Sequence, residues 1–273
     1  AHTVQFGATD GPMTDEQLKE AKGPVLHVPL VMGAVVPTYN LPALAHPIQF
    51  TPEALAGIYL GQIKTWNDPK LTADNADLNL PPTPIVVVHR SDGSGTTYVW
   101  TDYLSKISPE WKTKVGNATS VNWPTGLGGR GNEGVSGTVR QTPGAIGYVE
   151  LTYAIQNKMP AGEVNNQAGQ LVTASIDAVT AAAAGAVATL PEDLRYSITN
   201  APGEKAWPIS GSSWAGLYKD MPAGPERTAV VSFLRWTIHD GQKYCAALDY
   251  AQLPEELVKR ADSKLDQVEP APR

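Results

Sequence analysis

Residues 85–104 constrain the fold most strongly, because three kinds of local pattern follow one another there without a break. The segment starts with a short run of β-branched residues, which is typical of a buried strand. Glycines and hydroxyl residues follow at 91–97, and apolar side chains then recur at helical spacing from Tyr98. The segment therefore predicts a strand, a loop of small residues and a helix in direct succession.

This succession is the layout of an anion-binding site. The first N–H groups of a helix have no partner inside the helix, and the helix dipole places partial positive charge at that end. Gly93 and Gly95 allow the backbone to approach a ligand closely, while Ser94 and Thr96 can donate hydroxyl hydrogen bonds. A loop of this composition is also an ordinary capped helix start, so the loop alone does not establish an anion site.

Arg90 and Asp92 favour the anion hypothesis. They lie two residues apart on an extended segment, so their side chains share one face of it. Asp92 can then hold the Arg90 guanidinium in one orientation toward a tetrahedral oxyanion. The alternative is a surface ion pair, which contributes little energy.

Composition narrows the functional classes. The chain has 273 residues, and its 21 Lys and Arg against 27 Asp and Glu give a formal charge of −6. Because there is no basic block, nucleic acid and an anionic membrane surface are poor partners. No apolar run reaches the length needed to cross a bilayer. The single cysteine, Cys245, allows neither an internal disulfide nor a cysteine-based zinc site and is expected to be a small buried residue.

Strands alternate with helices along the chain, which predicts an α/β protein with mostly parallel sheets. Residues 25–40 are expected to form one or two strands interrupted by bends, because two prolines and a glycine punctuate them. Residues 4–12 are expected to form a short buried strand that ends in a tight turn, and residues 175–188 an alanine-rich helix. The glycine-rich segment 123–134 is expected to be a loop, with a short helix at 135–141. Its glycines match no nucleotide-binding fingerprint.

Asp10 is the second candidate ligand, because it falls with the 91–97 loop at the carboxyl ends of strands, where α/β sheets bind ligands. A carboxylate beside an oxyanion is useful only if the ligand carries a proton to donate. Phosphate carries one near neutral pH and sulfate does not, so Asp10 would act as a filter for phosphate. The alternative, which composition alone favours, is a turn-forming Asp before Gly11 and Pro12.

Six blocks of sequence resemble one protein family, and the match extends in order from Thr3 to about Val258. The blocks are residues 6–12, 58–66, 90–97, 123–132, 143–150 and 206–209. Together they look like the PstS family, the periplasmic phosphate-binding proteins that serve the high-affinity phosphate ABC transporter.

The resemblance implies a two-lobe, type II-like periplasmic-binding-protein fold with one dehydrated phosphate in the cleft. Lobe one would comprise residues 1–38 and 206–273, and lobe two residues 39–205. The implied ligands, with Asp92 and Gly93 in support, are Asp10 as acceptor of the phosphate proton, Arg90 as cation, and Ser94, Gly95 and Thr96 as hydroxyl and backbone donors.

The resemblance also implies a binding protein without a catalytic residue, a metal or a cofactor. Its partners would be inorganic phosphate and the membrane permease subunits of a phosphate ABC transporter, with no nucleic acid. A monomer is expected, in the periplasm or in another extracytoplasmic location, with a lipid anchor only if the missing N-terminus carries a lipobox.

The chain departs from the family pattern at its start. The family's other phosphate ligands lie on two loops upstream of the region matched here, so the chain reads as a fragment of a longer precursor. Lobe one is then expected to be incomplete at its N-terminus, with a sheet edge and apolar surface uncovered near residues 4–8. The 273 residues alone are expected to bind phosphate weakly.

Three other functions stay open at this point. The first is a phosphate-monoester hydrolase that uses Ser94 as nucleophile, although residues 92–96 do not form G-x-S-x-G and no histidine can be placed beside Ser94. His89 is expected to point away from the face that carries Arg90. The second is a binding protein for sulfate or molybdate, against which Asp10 argues. The third is a secreted phosphate-scavenging protein that works without a transporter.

Overall fold

The computed structural model describes residues 4–42, 44–187 and 190–268, in which strands and helices alternate. The strands are β1 (Gly7–Thr9), β2 (Val25–Tyr39), β3 (Gln49–Phe50), β4 (Val86–Arg90), β5 (Leu127–Gly129), β6 (Ala145–Glu150), β7 (Glu163–Asn165), β8 (Leu171–Val172) and β9 (Ser210–Tyr218). The α-helices are α1 (Asp15–Glu20), α2 (Pro52–Tyr59), α3 (Pro69–Thr72), α4 (Gly95–Ile107), α5 (Pro109–Lys114), α6 (Gly131–Gln141), α7 (Leu151–Gln156), α8 (Ile176–Ala186), α9 (Pro225–Ile238) and α10 (Glu255–Leu265). Residue 188, the last of the alanine-rich helix expected at 175–188, lies outside the described residues.

The main sheet has six strands in the order β1-β9-β2-β6-β4-β5, and β3, β7 and β8 form a smaller sheet. The fold is mixed α/β with open sheets, as expected, but the expectation of mostly parallel pairing is wrong. Among the described residues, only three of the seven strand pairs are parallel. Two neighbouring strands run parallel when a helix in the chain between them carries it back to the same end of the sheet. Within the main sheet, only β4, β5 and β6 are connected in this way. The pairs along β2 and β9 run antiparallel.

Strand β2 connects the two halves of the main sheet. Val25–Ala34 pair with β9, whereas Val35–Tyr39 pair with β6. The expected interruption is present only as a register shift between Pro29 and Val31, where a proline that cannot donate a ladder hydrogen bond is tolerated. A single 15-residue strand therefore runs through both halves.

Tyr148 fixes the end of β4 against the start of α4. Its hydroxyl accepts the Arg90 backbone N–H at 3.1 Å and lies 2.6 Å from the Thr97 hydroxyl oxygen. Its ring stacks on Trp100 with centroids 5.1 Å apart, and both aromatic side chains are fully buried. The position of the first turn of α4 relative to Arg90 is thus set by the aromatic core.

Strand β1 lies at an edge of the main sheet, with β9 on one side and no strand among the described residues on the other. The strand expected within residues 4–12 is present, but the expectation that it is buried is wrong. The strand starts at Gly7 and is exposed, because only one neighbour covers it. The ring centroids of Phe6 and Phe233 are 6.1 Å apart. Phe233 is 51% exposed, and Trp236 beside it is 45% exposed. An uncovered sheet edge and apolar surface were both expected here.

The glycine-rich segment is more ordered than the sequence suggests. It contains β5 and the first turn of α6, so α6 begins four residues before the expected start at Val135. A Cβ atom on Gly129 would lie 2.7 Å from the backbone of Gly134, and one on Gly147 would lie 2.8 Å from Val139. These glycines allow α6 to pack closely on the sheet.

None of the helices in the described part of the chain is both long and apolar enough to cross a membrane.

Candidate anion-binding site

A cavity of about 470 Å³ opens where the carboxyl ends of β4 and β6 meet the residue that follows β1. It brings together all five candidate ligands of the sequence analysis. Its lining residues are 8–10, Arg90, 93–96, Thr119, 131–133, Glu150, Tyr153 and Ser213. A larger cavity of about 1090 Å³ adjoins β1 and α1, but it is lined by none of Asp10, Arg90 and Ser94.

Arg90 is the cation of this cavity, and Asp92 holds it. Arg90 Nε donates to Asp92 Oδ1 at 2.8 Å and Nη2 donates to Oδ2 at 2.7 Å, which is a two-point pair. The Gly131 backbone N–H adds a third donor to Asp92 at 3.1 Å. The hydrogen bonds from Arg90 hold the pKa of Asp92 far below its usual range. Arg90 Nη1 makes no hydrogen bond to a described residue, so it is available to an anion.

The first turn of α4 supplies the neutral donors. Ser94 caps the helix, with its hydroxyl oxygen accepting the Thr97 backbone N–H at 3.1 Å. This bond uses a lone pair and leaves the Ser94 proton free to donate. The backbone N–H groups of Gly95 and Thr96 belong to the first turn and have no acceptor inside the helix. Three donors are therefore presented side by side.

The two glycines of this loop differ in what they permit. A Cβ on Gly95 would lie 2.5 Å from the Asp10 backbone nitrogen and 2.7 Å from Asp10 Oδ2. Gly95 therefore allows the two walls of the cavity to touch. A Cβ on Gly93 would meet nothing within 4 Å, so the close approach expected at Gly93 is not a steric requirement.

Asp10 faces the helix start from the opposite wall. It is not the residue that makes the turn after β1, because the Thr9 side chain donates to the Gly11 carbonyl at 2.9 Å and accepts the Gly11 N–H at 3.1 Å. Asp10 Oδ1 instead accepts a hydrogen bond from the Ser213 hydroxyl at 2.5 Å, 203 residues further along the chain. Oδ2 receives no hydrogen bond from the described residues.

The environment of Asp10 disfavours its charge. Burial, with a smaller contribution from the Glu150 carboxylate, raises the pKa of Asp10 to about 6, although Ser213 and Arg90 act in the opposite direction. Asp10 is therefore ionised at neutral pH and can accept a proton there. It loses this capacity as the pH falls through about 6.

Glu150 lines the cavity at the end of β6. It accepts hydrogen bonds from Asn132 Nδ2 at 3.0 Å and from the Thr96 hydroxyl at 3.3 Å, both on Oε1. The Tyr250 hydroxyl donates to Oε2. Burial and the nearby Glu150 carboxylate raise the pKa of Tyr250 above its usual range, which keeps it a donor. Glu150 thus links β6, α4, α6 and the segment before α10.

Sequence reasoning missed Ser213, Glu150, Asn132 and Tyr250. For Glu150 a signal was present, since a charged residue directly follows the apolar run of β6 and lies at the same sheet edge as Arg90. Ser213 lies within β9 and carries no local sign of its contact with Asp10.

The histidines of the described residues are engaged elsewhere. His89 stacks on Trp123 with ring centroids 4.7 Å apart, and its Nδ1 lies 3.0 Å from the Arg90 carbonyl oxygen. His27 Nε2 accepts the Met13 backbone N–H, while His46 and His239 contact aspartates. None of these four rings hydrogen-bonds Ser94, so the arrangement provides Ser94 with no general base among them.

Comparison with known proteins identifies the family of this chain. The family model described as "PBP superfamily domain" matches residues 1–240. A phosphate-binding protein PstS of Xylella fastidiosa (strain 9a5c) is 44% identical over 264 residues, which cover 96% of this chain and 72% of that protein. This chain belongs to the PstS family. The PstS protein of Haemophilus influenzae is also 44% identical, over 97% of this chain and 79% of its own length.

Solved structures agree with the PstS assignment at the level of fold. A high affinity periplasmic phosphate-binding protein, PfluDING, solved with bound phosphate, superposes with a TM-score of 0.73. The match covers 95% of this chain and 77% of that structure at 19% sequence identity. At this identity the likeness concerns the arrangement of strands and helices.

Proposed function

We propose that this PstS-family chain binds inorganic phosphate in the cavity between Asp10 and the start of α4 and delivers it, chemically unchanged, to the permease of a phosphate ABC transporter. The observation that carries the proposal is the pairing of two opposite kinds of group in one cavity. Arg90 and the first turn of α4 offer donors, while the free oxygen of Asp10 offers an acceptor. An anion that needs both must carry a proton.

This pairing supports phosphate over sulfate. Monohydrogen phosphate has unprotonated oxygens for the donors and one O–H for Asp10. Sulfate at neutral pH has no proton, so one of its oxygens would meet the Asp10 carboxylate and be repelled. Because the chain has a net charge of −6, the anion is held by local donors and not by the overall field.

The proposal includes the two lobes inferred from the sequence, 1–38 with 206–273 and 39–205. The change of partner along β2 supports it, because Ala34 is the last residue that pairs with β9 and Val35 the first that pairs with β6. Asp10 and Ser213 would then belong to lobe one, and Arg90 and α4 to lobe two. The cavity lies between these groups, as expected if lobe closure encloses the ligand.

The remaining parts of the proposal concern the setting of the protein. Phosphate and the permease subunits are the partners, and the protein works as a monomer in the periplasm or in another extracytoplasmic location, lipid-anchored if its N-terminal region carries a lipobox. Support comes from PstS relatives and from a similar solved structure described as a phosphate ABC transporter substrate-binding protein.

Calorimetric titration tests the proposal. Phosphate and sulfate are titrated at pH 8 into the full chain, including whatever precedes residue 1 in the natural protein, and into its Asp10→Asn variant. We expect tight binding of phosphate, no heat with sulfate, and a larger loss of discrimination than of affinity in the variant. Equal heats for both anions, or none with phosphate, would contradict the proposal, as would turnover of a phosphate monoester.

A further inference from the structure

The two oxygens of Asp10 have different surroundings. Oδ1 accepts the Ser213 hydroxyl proton at 2.5 Å, whereas Oδ2 faces Gly95 and receives no hydrogen bond from the described residues. Since a carboxylate rotates about its last bond, a fixed donor on one oxygen also fixes the direction of the other. The contact with Ser213 therefore leaves Oδ2 directed to the helix start.

Ser213 is well placed to hold this contact rigidly. It lies in the middle of β9, which is paired with β1 on one side and with β2 on the other. Its hydroxyl makes no other hydrogen bond to a described residue. The neighbouring Ser212 faces the opposite side of the sheet, where it hydrogen-bonds the Tyr196 hydroxyl at 2.9 Å. Only one of the two adjacent serines can therefore reach Asp10.

Glu150 acts on the Asp10 carboxylate in the opposite direction to Ser213. It lines the cavity with Asp10, and it is held there by Asn132, Thr96 and Tyr250. An ionised carboxylate in this position makes a second negative charge nearby less favourable. The other charged or titratable groups that influence Asp10 are Arg90, which attracts its charge, and Tyr250, which stays neutral.

We propose that Ser213 and Glu150 are positioning residues for phosphate recognition that act on Asp10 in opposite directions. Ser213 orients the carboxylate and favours the form that accepts the ligand's proton, while Glu150 disfavours that form and fixes the Thr96 hydroxyl. This inference rests on the proposed phosphate function. The inference goes beyond that function, because it assigns the acid limit of phosphate binding to two residues that do not themselves donate hydrogen bonds to the phosphate.

The balance has a functional consequence. Without Glu150, Asp10 would ionise at lower pH and bind phosphate over a wider range. Without Ser213, it would remain protonated closer to neutrality and lose its role as acceptor. The pair therefore sets the pH below which Asp10 no longer accepts the ligand's proton and phosphate binding weakens.

The test measures phosphate affinity by calorimetry from pH 5 to 8.5 for the full chain and for Ser213→Ala and Glu150→Gln. The acid limb of each profile is the range in which phosphate affinity falls as the pH falls. We expect this limb to move up by about one pH unit in Ser213→Ala, since a hydrogen bond to a charged group is lost. The Glu150→Gln limb is expected to move down by a similar amount. Shifts in the same direction, or none, would overturn the inference.

Three control variants separate this role from a merely structural one. Ser212→Ala removes a hydroxyl from the same strand and should leave the limb in place. Ser213→Thr keeps the hydroxyl on a residue that strands favour, so it should restore the original profile. In an Asp10→Asn background, Ser213→Ala and Glu150→Gln should no longer move the limb. A shift that persists in that background would contradict the assignment.

A ligand-free measurement separates failure of this inference from failure of the proposed function. The side-chain carboxyl ¹³C resonance of Asp10 is titrated by NMR without phosphate in the same variants. Opposite shifts of its midpoint, upward in Ser213→Ala and downward in Glu150→Gln, are expected whichever anion the protein binds. If they occur but phosphate gives no heat, the function is wrong and the positioning of Asp10 stands. Unchanged midpoints overturn the inference even if phosphate binds.

Discussion

The two walls of the cavity are built in opposite ways. The donor wall, formed by Arg90, Asp92 and the first turn of α4, comes from one short stretch of chain, and its charges stabilise each other. The acceptor wall consists of Asp10, whose carboxylate is hydrogen-bonded by Ser213 alone among the described residues and whose negative charge is disfavoured by Glu150. The donor wall, which attracts an anion strongly, thus depends on residues that are neighbours in sequence. The acceptor wall, which selects among anions and carries a less stable charge, depends on long-range contacts.

The largest expected effect comes from separating the two walls. Gly95→Ala places a Cβ within 2.7 Å of Asp10 and should push the walls apart. We expect phosphate affinity to fall roughly a hundredfold, because overpacking of this kind costs about 3 kcal/mol. Gly93→Ala is the matched control, since its Cβ would meet nothing within 4 Å. Titration of both variants checks this, and equal losses would mean that the walls do not need to touch.

A smaller loss is expected when the donor wall keeps its charge but loses its geometry. Arg90→Lys removes the two-point contact with Asp92 and the planar donor that faces the cavity. Phosphate affinity should fall by roughly tenfold or more, which corresponds to one charge-assisted hydrogen bond. Arg140→Lys, at an exposed position near the end of α6, should change nothing. An unaltered affinity in Arg90→Lys would show that charge alone suffices.

Stability against pH should distinguish the two aspartates. The folded-state pKa of Asp10 is raised to about 6. Ionisation of Asp10 therefore lowers the free energy of unfolding. This cost is fully present above about pH 6 and absent below the ordinary pKa of an aspartate. Asp10→Asn should therefore raise the free energy of unfolding by about 3 kcal/mol at pH 8, with the gain vanishing near pH 4.

Asp92→Asn should behave in the opposite sense. Because the folded-state pKa of Asp92 is lowered, its stabilising contribution is present above its ordinary value and lost as the pH falls through the folded value. The variant should be less stable than the parent at pH 8, and this deficit should shrink in acid. Chemical denaturation at several pH values measures both aspartates, and parallel pH trends in the two variants would contradict the contrast between the walls.

The smallest effect separates helix capping from ligand binding on the donor wall. Ser94→Ala and Ser108→Ala each remove a serine that caps a helix, α4 and α5 respectively. Each should cost about 1 kcal/mol of stability. Only Ser94→Ala should also weaken phosphate binding by several fold, because its hydroxyl proton faces the cavity. Equal phosphate affinity in both variants would limit Ser94 to a capping role.

Local pattern was sufficient for the donor wall. The strand that ends at Arg90 and the helix that follows the 91–97 loop were both predicted from residues 85–104, because each depends on neighbours in sequence. The pairing of Arg90 with Asp92 follows from their spacing on an extended segment. The α/β class followed for the same reason, from alternating periodicities along the chain.

The acceptor wall was only partly accessible. Asp10 was singled out by its position after a strand and by family resemblance, whereas composition alone favoured a turn, a role that Thr9 fills. Strand direction was also misjudged, because periodicity identifies a strand without identifying its neighbour. The continuous path of β2 through both halves of the sheet depends on pairing with β9 and β6, which come much later in the chain.

The sequence by itself determined the elements around the helix start, because capping, turn formation and side-chain alternation act over a few residues. The PstS family and the five candidate ligands followed from the resemblance of six blocks of sequence to that family. Only the tertiary structure decided that Ser213 donates to Asp10, that Glu150 accepts a hydrogen bond from Thr96 and that Gly95 lies close against Asp10. These contacts join residues that are far apart along the chain, and no local pattern encodes which of them will meet.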